Sequence, residues 1–232
     1  FGDVFDTVLK IETNSLNWQI NGQYTAIKGM AFNGNNAQSH FSINPTSDHT
    51  KIQGIHLGVD ITGRVARGVN NYIFINAPYN TIGSDLDGIN DLGEVNIINR
   101  AGTSFTISYN NSSADFSTVV YNYINTDITT TANTGNFKGG TGVFFNNNFG
   151  TDFGPMEGVV IKNNVIGNST YGIGNGGVYT FPDMIIDGNK IGTNWNETAL
   201  LNNFISATSY GISVSTVNPT LRSVGGVIQN NV

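Results

Sequence analysis

The sequence predicts an all-β fold, a parallel β-helix whose coils hold about 20 to 25 residues each. Three observations predict it: a period of about 67 residues, a shorter spacing of about 25 residues inside it, and short apolar runs bounded by turn residues. A chain of 232 residues is long enough to bury a sizeable core, but length alone allows one large all-β domain or two small ones. With the β-helix repeat, we expect a single domain over residues 1–232, as part of a longer protein. Residues 1–26 match the repeat least, and we expect them to form a cap or a preceding coil.

The long period is carried by three motifs, which recur at one and the same interval. The motifs are "GVD" ending at Asp60 with "NTD" ending at Asp127 and "GTN" ending at Asn194, "TIGSD" at 81–85 with "NFGTD" at 148–152, and "VIKNNV" at 160–165 with "VIQNNV" at 227–232. A β-sandwich or an up-and-down barrel does not require such distant residues to keep the same turn chemistry. Stacked coils do, so the period favours a solenoid.

The short spacing divides the long one. "IKGMAF" at 27–32 recurs as "IQGIHL" at 52–57, and "IKNNVI" at 161–166 recurs as "IDGNKI" at 186–191, both at the same shorter interval. The two spacings predict a super-repeat of three coils in each period of about 67 residues. Equivalent residues of neighbouring coils then stack at the strand spacing of about 4.8 Å.

Short apolar runs supply the strands, because Gly, Asn and Asp bound them on both sides. The clearest runs are 73–75, 105–107, 143–145 and 178–181. Two columns of aliphatic residues, spaced at the long interval, are predicted to point into the core: Ile52, Val119 and Ile186, and Leu57, Ile124 and Ile191. The segment 197–205 is the one candidate for a short turn or helix.

The residues beside these columns predict the turns. Asn122, Asn164 and Asn189 occupy one stacked position, where their amides are expected to form an inward ladder of hydrogen bonds. Gly29, Gly54 and Gly188 adjoin them, where a positive φ would suit the bend. The outward column of His56, Tyr123 and Lys190 is chemically varied, so we expect it to be exposed.

Composition limits the function. Charged residues make up 11% of the chain, which has 35 asparagines, 29 glycines, no cysteine and a net charge of −6. An acidic chain with ten scattered basic residues is unsuited to nucleic acid, which needs clustered Lys and Arg. No apolar run approaches the length of a membrane span, so we expect no membrane insertion.

The motifs resemble the right-handed parallel β-helix repeat proteins, and among them the repeats of large bacterial secreted and surface proteins. The likeness is strongest over residues 55–99, "IHLGVDITGRVARGVNNYIFINAPYNTIGSDLDGINDLGEVNIIN", and extends more loosely over residues 27–232. The resemblance implies a right-handed helix in an extracellular or cell-surface protein. It implies little about activity, because β-helices include lyases, hydrolases, tailspikes and adhesins. The chain stops in the middle of a unit, so we expect a longer native protein or a covering chain.

One acidic stretch is a candidate metal site. Asp85, Asp87, Asp91 and Glu94 lie within ten positions around a Gly turn and offer the oxygen ligands that Ca²⁺ prefers. The alternative is that Asp85 caps a turn, as Asp152 would in the repeat copy, and that the other three solvate a loop. The spacing differs from that of an EF-hand.

Catalytic patterns are largely missing. The sequence has no Asp-Asp pair, no Gly-His-Gly and no Arg-x-Lys, as a polygalacturonase-like hydrolase would have. Arg64 and Arg67 share one loop and are the candidate bases of a polysaccharide lyase, although no carboxylate grouping is evident beside them. His49 is expected to be a surface loop residue.

The main prediction is a non-catalytic structural or adhesive module of a secreted or cell-surface bacterial protein, without a required cofactor apart from the candidate Ca²⁺. Its expected partners are surface glycans, for which eight Tyr and Trp residues are candidate stacking platforms, or other copies of the same protein. Those residues are Trp18, Tyr72, Tyr79, Tyr121, Tyr123, Tyr171, Tyr179 and Trp195. The alternatives are a polysaccharide lyase or glycoside hydrolase acting on the outer wall, and a subunit that assembles head to tail into filaments.

Overall fold

The chain forms three parallel β-sheets of short strands, which it visits in strict rotation, as a β-solenoid does. A computed structural model describes residues 9–13, 16–34, 38–67, 70–100, 102–110, 112–129, 139–146, 155–176, 181–194, 196–198, 210–213 and 226–232. Each sheet contains seven strands, and every strand pair within the described ranges is parallel. We call one passage through sheets A, B and C a coil.

Sheet A is made of β1 (Leu9–Thr13), β4 (Met30–Gly34), β7 (His56–Leu57), β10 (Asn96–Ile98), β13 (Asn122–Ile124), β16 (Val165–Ile166) and β19 (Lys190–Ile191). Sheet B is made of β2 (Leu16–Ile20), β5 (Gln38–Ile43), β8 (Asn70–Ile75), β11 (Gly102–Tyr109), β14 (Gly139–Phe145), β17 (Ser169–Asn175) and β20 (Tyr210–Ser213). Sheet C is made of β3 (Ala26–Lys28), β6 (Lys51–Gln53), β9 (Thr81–Gly83), β12 (Thr118–Val120), β15 (Val160–Lys162), β18 (Ile185–Asp187) and β21 (Val227–Gln229). The helices of the described ranges are two short 3₁₀ turns, Asp91–Glu94 and Ser112–Ala114.

The strand register corrects the predicted coil count. Ile52 pairs with Ile82, and Ile82 pairs with Val119, so residues 52 and 119 are two coils apart. The long period therefore spans two coils and not three. Coil lengths also differ, since Ile27 pairs with the nearby Ile52 but Val119 pairs with the more distant Ile161. The predicted uniform length of about 20 to 25 residues was wrong because long connections alternate with short ones.

The long connections explain the period. After β7, β13 and β19 the chain takes a long path from sheet A to sheet B, and after β4, β10 and β16 it takes a short one. Asp60, Asp127 and Asn194 stand in the three long connections, at the same distance from the preceding strand. A long connection in every second coil thus produces the sequence period.

The predicted strands and core columns are confirmed where the structure describes them. Residues 73–75, 105–107 and 143–145 lie within β8, β11 and β14, whereas residues 178–180 and most of 197–205 lie outside the described residues. The side chains of Ile52, Val119, Ile186, Leu57 and Ile124 are fully buried, and Ile191 packs against them partly buried. Burial of these columns stabilises the fold by about 25 cal/mol for each Å² of apolar surface that is removed from water.

The outward column differs from the prediction of an exposed face. His56, Ile97 and Tyr123 are neighbours in sheet A, but His56 and Ile97 are fully buried. The connection after β7 folds back over them, and Val59 forms an antiparallel bridge with Ala66. A second, small apolar cluster therefore lies outside the helix wall, beneath the first of the long connections.

Candidate functional site

A ladder of asparagine side chains runs through the corner between sheets C and A. The Asn96 amide donates to Asn122 Oδ1, the Asn122 amide to Asn164 Oδ1, and the Asn164 amide to Asn189 Oδ1, each at 2.9 Å. Asn189 continues the series to Asn231 at 2.9 Å. The predicted inward ladder is confirmed, and it is two residues longer than the sequence indicated.

Each asparagine of the ladder also satisfies the backbone. Asn164 Oδ1 accepts from the Asn122 backbone N–H at 2.9 Å, and Asn164 Nδ2 donates to the Val119 carbonyl at 2.8 Å. The neighbouring Gly29, Gly54 and Gly188 have φ values of 64°, 62° and 65°, as predicted for the bend. The carboxamides thus pair polar groups that a sharp turn would otherwise bury without partners.

The acidic stretch follows β9, in the connection from sheet C back to sheet A. Asp85, Asp91 and Glu94 each direct a carboxylate oxygen to one point, and these oxygens lie within 4.8 Å of one another. Asp87 is exposed and lies outside this group; its Oδ1 accepts from the Ile89 N–H at 2.7 Å and so caps the loop. The structure therefore brings together three of the four predicted calcium ligands.

Two lysines approach this acidic group from the coils that precede it. Lys51 Nζ lies 2.5 Å from Asp85 Oδ2, and Lys28 Nζ lies 3.5 Å from Glu94 Oε1. The hydrogen bond with Lys51 lowers the pKa of Asp85, and the same bond raises the pKa of Lys51. We call these five residues, Lys28, Lys51, Asp85, Asp91 and Glu94, the charged corner.

Further hydrogen bonds close the loop over the charged corner. The Ser84 hydroxyl donates to Asp91 Oδ1 at 2.8 Å, and the Asp85 N–H donates to Glu94 Oε2 at 3.3 Å. Glu94 is 6% exposed, and both oxygens of its carboxylate have a partner. Oε1 pairs with Lys28 Nζ, and Oε2 accepts from the Asp85 N–H. Asp85 Oδ1 is buried without a hydrogen-bond partner.

The predicted equivalence of Asp85 and Asp152 is not supported by the register. Asp85 follows β9 in the connection from sheet C to sheet A, whereas Asp152 lies between β14 and β15, in the connection from sheet B to sheet C. Residues 147–154 lie outside the described residues, so the turn at Asp152 is not described. The match of "TIGSD" with "NFGTD" therefore falls on connections between different pairs of sheets.

Arg64 and Arg67 lie in the loop after β7, which Asp60 organises. Asp60 Oδ1 accepts from the N–H groups of Arg64 and Val65 at 3.0 and 3.1 Å, and from the Thr62 hydroxyl at 2.9 Å. Burial, the largest single influence, acts to raise the pKa of Asp60, but the backbone N–H groups and the Thr62 hydroxyl together hold it below its ordinary value. The Asp60 carboxylate thus stabilises the loop after β7 through hydrogen bonds.

An aromatic face covers the outer side of sheet B. His40 and Tyr72 stack with ring centroids 4.5 Å apart, and Phe105 and Phe144 stack at 5.6 Å. The Arg100 guanidinium carbon lies 5.0 Å from the Tyr72 centroid, and its Nη1 donates to the Phe105 carbonyl at 2.7 Å. Burial lowers the pKa of Arg100, which forms no ion pair with any described residue. The guanidinium is held by cation–π contact instead.

Besides the aromatic face of sheet B, a column of stacked rings stands at the corner between sheets B and C. Tyr24, His49, Tyr79 and Phe116 stack in four consecutive coils, with centroid distances of 4.8, 5.1 and 5.2 Å. His49 is an exposed turn residue, as predicted, but its place in a column was missed. The signal in the sequence was weak because the intervals between these four residues are unequal.

The other predicted stacking platforms are mostly structural. Trp18 packs edge-on against Phe32, with the ring centroids 5.5 Å apart. Tyr123 belongs to the small apolar cluster under the loop after β7. Tyr72 lies in the aromatic face of sheet B, and Tyr121 occupies a turn with a φ of 53°. Tyr171 is half-buried and pairs with Tyr210 in sheet B. Tyr179 and Trp195 lie outside the described residues.

Comparisons with protein-family models, with curated proteins and with solved structures gave no match. Within the ranges that the structure describes, no helix is long and apolar enough to cross a membrane. Fold and site therefore define a parallel β-solenoid-like repeat protein with a charged corner, an aromatic face on sheet B and one column of stacked rings.

Proposed function

We propose that this chain is a non-catalytic, right-handed parallel β-helix module that serves as a stiff structural or adhesive segment of a secreted or cell-surface bacterial protein. The observation that carries the proposal is the uninterrupted asparagine ladder from Asn96 to Asn231, which links five consecutive coils by side-chain hydrogen bonds. A solenoid whose coils are joined along its axis resists bending and local opening. The resemblance to secreted and surface repeats supports the location.

The charged corner supports a structural role over a catalytic one. A lyase base must be unprotonated when it removes the proton beside a uronate carboxylate. Lys51 is the cation nearest to the acidic group, and its ion pair with Asp85 raises its pKa, which keeps it protonated at neutral pH. The pairs formed by Lys28 and Lys51 instead tie the loop after β9 to two preceding coils.

The adhesive part of the proposal concerns glycans. An exported solenoid rich in asparagine offers many amides for sugar hydroxyls. The stacked outer rings are less suited to pyranose stacking, because the rings of each stacked pair turn their faces to each other. Glycan recognition would therefore depend on amides and hydroxyls at the coil turns.

A glycan array combined with turnover assays on acidic polysaccharides tests the proposal. We expect no release of reducing ends or unsaturated products, with or without Ca²⁺, and retention of a limited set of glycans if the module is adhesive. Turnover that is lost in Arg64→Gln or Arg67→Gln, with unchanged thermal stability, would contradict the non-catalytic proposal. Turnover lost in Lys51→Met but kept in Lys28→Met would instead favour a lyase at the charged corner.

The second candidate is that polysaccharide lyase, and the convergence of Asp85, Asp91 and Glu94 favours it. Three carboxylate oxygens within 4.8 Å fit a Ca²⁺ ion, whose charge would neutralise a uronate carboxylate. Calcium would have to displace Lys51 from Asp85 Oδ2. Calcium titration of the wild type and of Glu94→Gln, followed by thermal unfolding, tests the metal separately from activity. A rise in Tm that Glu94→Gln abolishes would support the metal site, and an unchanged wild-type Tm would contradict it.

A further inference from the structure

The four rings of Tyr24, His49, Tyr79 and Phe116, which we call the aromatic column, stand in an unfavourable backbone conformation. Their φ values are 55°, 57°, 57° and 55°. Bulky L-residues rarely adopt a positive φ, because the side chain crowds the following carbonyl. Four consecutive coils nevertheless place a ring there.

The fold itself does not require rings at this turn. The Phe116 N–H donates to the Glu157 carbonyl, and the Gly158 N–H donates to the Pro182 carbonyl, so Gly158 and Asp183 continue the same position. Gly158 and Asp183 have φ values of 59° and 55°, and both residue types accept this conformation more readily. The aromatic column therefore occupies four coils where glycine or aspartate would serve the turn.

The aromatic column is also exposed. Tyr24, Tyr79 and Phe116 expose 74%, 48% and 43% of their surface, and the His49 side chain exposes 43%. Strained and exposed rings in a row are a combination that folding does not favour, and such strain is typical of functional surfaces.

The stacking decides which part of each ring is available. Neighbouring ring planes differ by 19°, 16° and 7°, so the faces are turned towards adjacent coils. The lower side of the Phe116 ring lies against Gly158, where an added Cβ would come within 2.4 Å of Phe116 Cδ1. Apart from the outer face of Tyr24, the first ring of the column, what remains for a ligand is a ribbon of ring edges, about 15 Å long, parallel to the solenoid axis.

Ring edges carry partial positive charge, and they prefer the negative face of another π-system at centroid distances of about 5 Å. The spacing of 4.8 to 5.2 Å along the ribbon allows one flat ligand to meet all four edges at once. The C–H surface of a pyranose is also partly positive, so it complements the ring edges less well than the face of an aromatic ligand does. We infer that the aromatic column binds an elongated, planar aromatic molecule that lies flat along the solenoid axis.

The experiment uses the full chain with thioflavin T, a planar cationic dye, and Congo red, a planar anionic one. The test variant is Tyr79→Asn, which removes a central ring and leaves a residue that accepts a positive φ. Its control is Leu86→Asn, because Leu86 is also exposed, with a φ of 58°, but lies outside the aromatic column. Neither substitution changes the net charge, and thermal unfolding checks that both variants remain folded.

We expect saturable binding of both dyes to the wild type and to Leu86→Asn. Tyr79→Asn splits the ribbon and should weaken binding of both dyes about tenfold. His49→Asn should repeat the loss. The inference is overturned if the wild type shows no saturable binding, if only the cationic dye binds, or if Tyr79→Asn binds as tightly as Leu86→Asn.

Discussion

The Asn122 side-chain amide donates to Asn164 Oδ1 at 2.9 Å, and the Asn122 backbone N–H donates to the same oxygen at 2.9 Å. One carboxamide oxygen thus satisfies two donors of the preceding coil, although the two residues are 42 positions apart in the chain. The Asn164 amide passes the same pattern on to Asn189. This relationship makes each coil depend on the next.

Asn164→Ala should lower the free energy of unfolding by about 3 kcal/mol, because it removes four buried hydrogen bonds. The Asn122 backbone N–H loses its acceptor, whereas Asn122 Nδ2 and Asn189 Oδ1 keep other partners. Urea unfolding measures the change. Asn163→Gly is the matched control, since Asn163 is the adjacent residue with a φ of 55°, and it should change stability by less than about 0.5 kcal/mol. Equal effects of the two substitutions would contradict the structural importance of the ladder.

Lys51→Met and Asp85→Asn should show a coupling of about 1 kcal/mol in a double-mutant cycle at neutral pH, because Lys51 is 45% exposed and solvent screens the pair. The pair lowers the pKa of Asp85, so its stabilisation is complete above the ordinary Asp value of about 3.9 and is lost as pH falls through the lowered value. It raises the pKa of Lys51, so the stabilisation is complete below about 10.4 and is lost as pH rises through the raised value. A coupling that persists in strong acid would contradict this assignment.

Gly83→Ala should destabilise the protein by about 3 kcal/mol or more, whereas Gly88→Ala should cost about 1 kcal/mol. Both glycines have a positive φ, of 98° and 81°. A Cβ on Gly83 would lie 1.9 Å from the Val120 carbonyl oxygen, but a Cβ on Gly88 would meet nothing within 4 Å. Thermal unfolding of the two variants separates steric overlap between coils from backbone strain alone.

Tyr109→Phe should reduce the alkaline loss of stability. Tyr109 is fully buried, and burial raises the pKa of its hydroxyl. The unfolded chain therefore ionises first, so the wild type loses stability as pH rises above the ordinary Tyr value of about 10. At neutral pH the substitution should cost less than about 1 kcal/mol, because the hydroxyl donates only a long hydrogen bond, 3.4 Å, to the Ser117 carbonyl. Parallel pH profiles of both proteins would contradict this prediction.

The sequence predicted those features that recur at a fixed interval. Ile52 and Val119 could be assigned to one core column because both the residue type and the interval repeat. The same regularity misled the coil count, because Ile82 stands between them without a matching motif. Register depends on loop lengths, and a period alone does not reveal how many strands it contains.

The charged corner was only partly predictable. Asp85, Asp91 and Glu94 were identified because they are close in sequence, but Lys28 and Lys51 come from β3 and β6, which lie in earlier coils far from the acidic stretch in sequence. The burial of His56 was missed for a similar reason. The path of the loop that returns over the outer wall depends on how that loop packs against Ile97. The strand pattern in the sequence does not reveal this packing.

Native-state hydrogen exchange is the most direct test of the central claim that the asparagine ladder joins the coils into one stiff unit. We predict that the backbone amides of Asn122, Asn164 and Asn189, which donate to ladder carboxamides, exchange with closely similar opening free energies. In Asn164→Ala these amides should lose protection together. Independent opening of each coil, or fast exchange at Asn122 and Asn164 in the wild type, would contradict the claim.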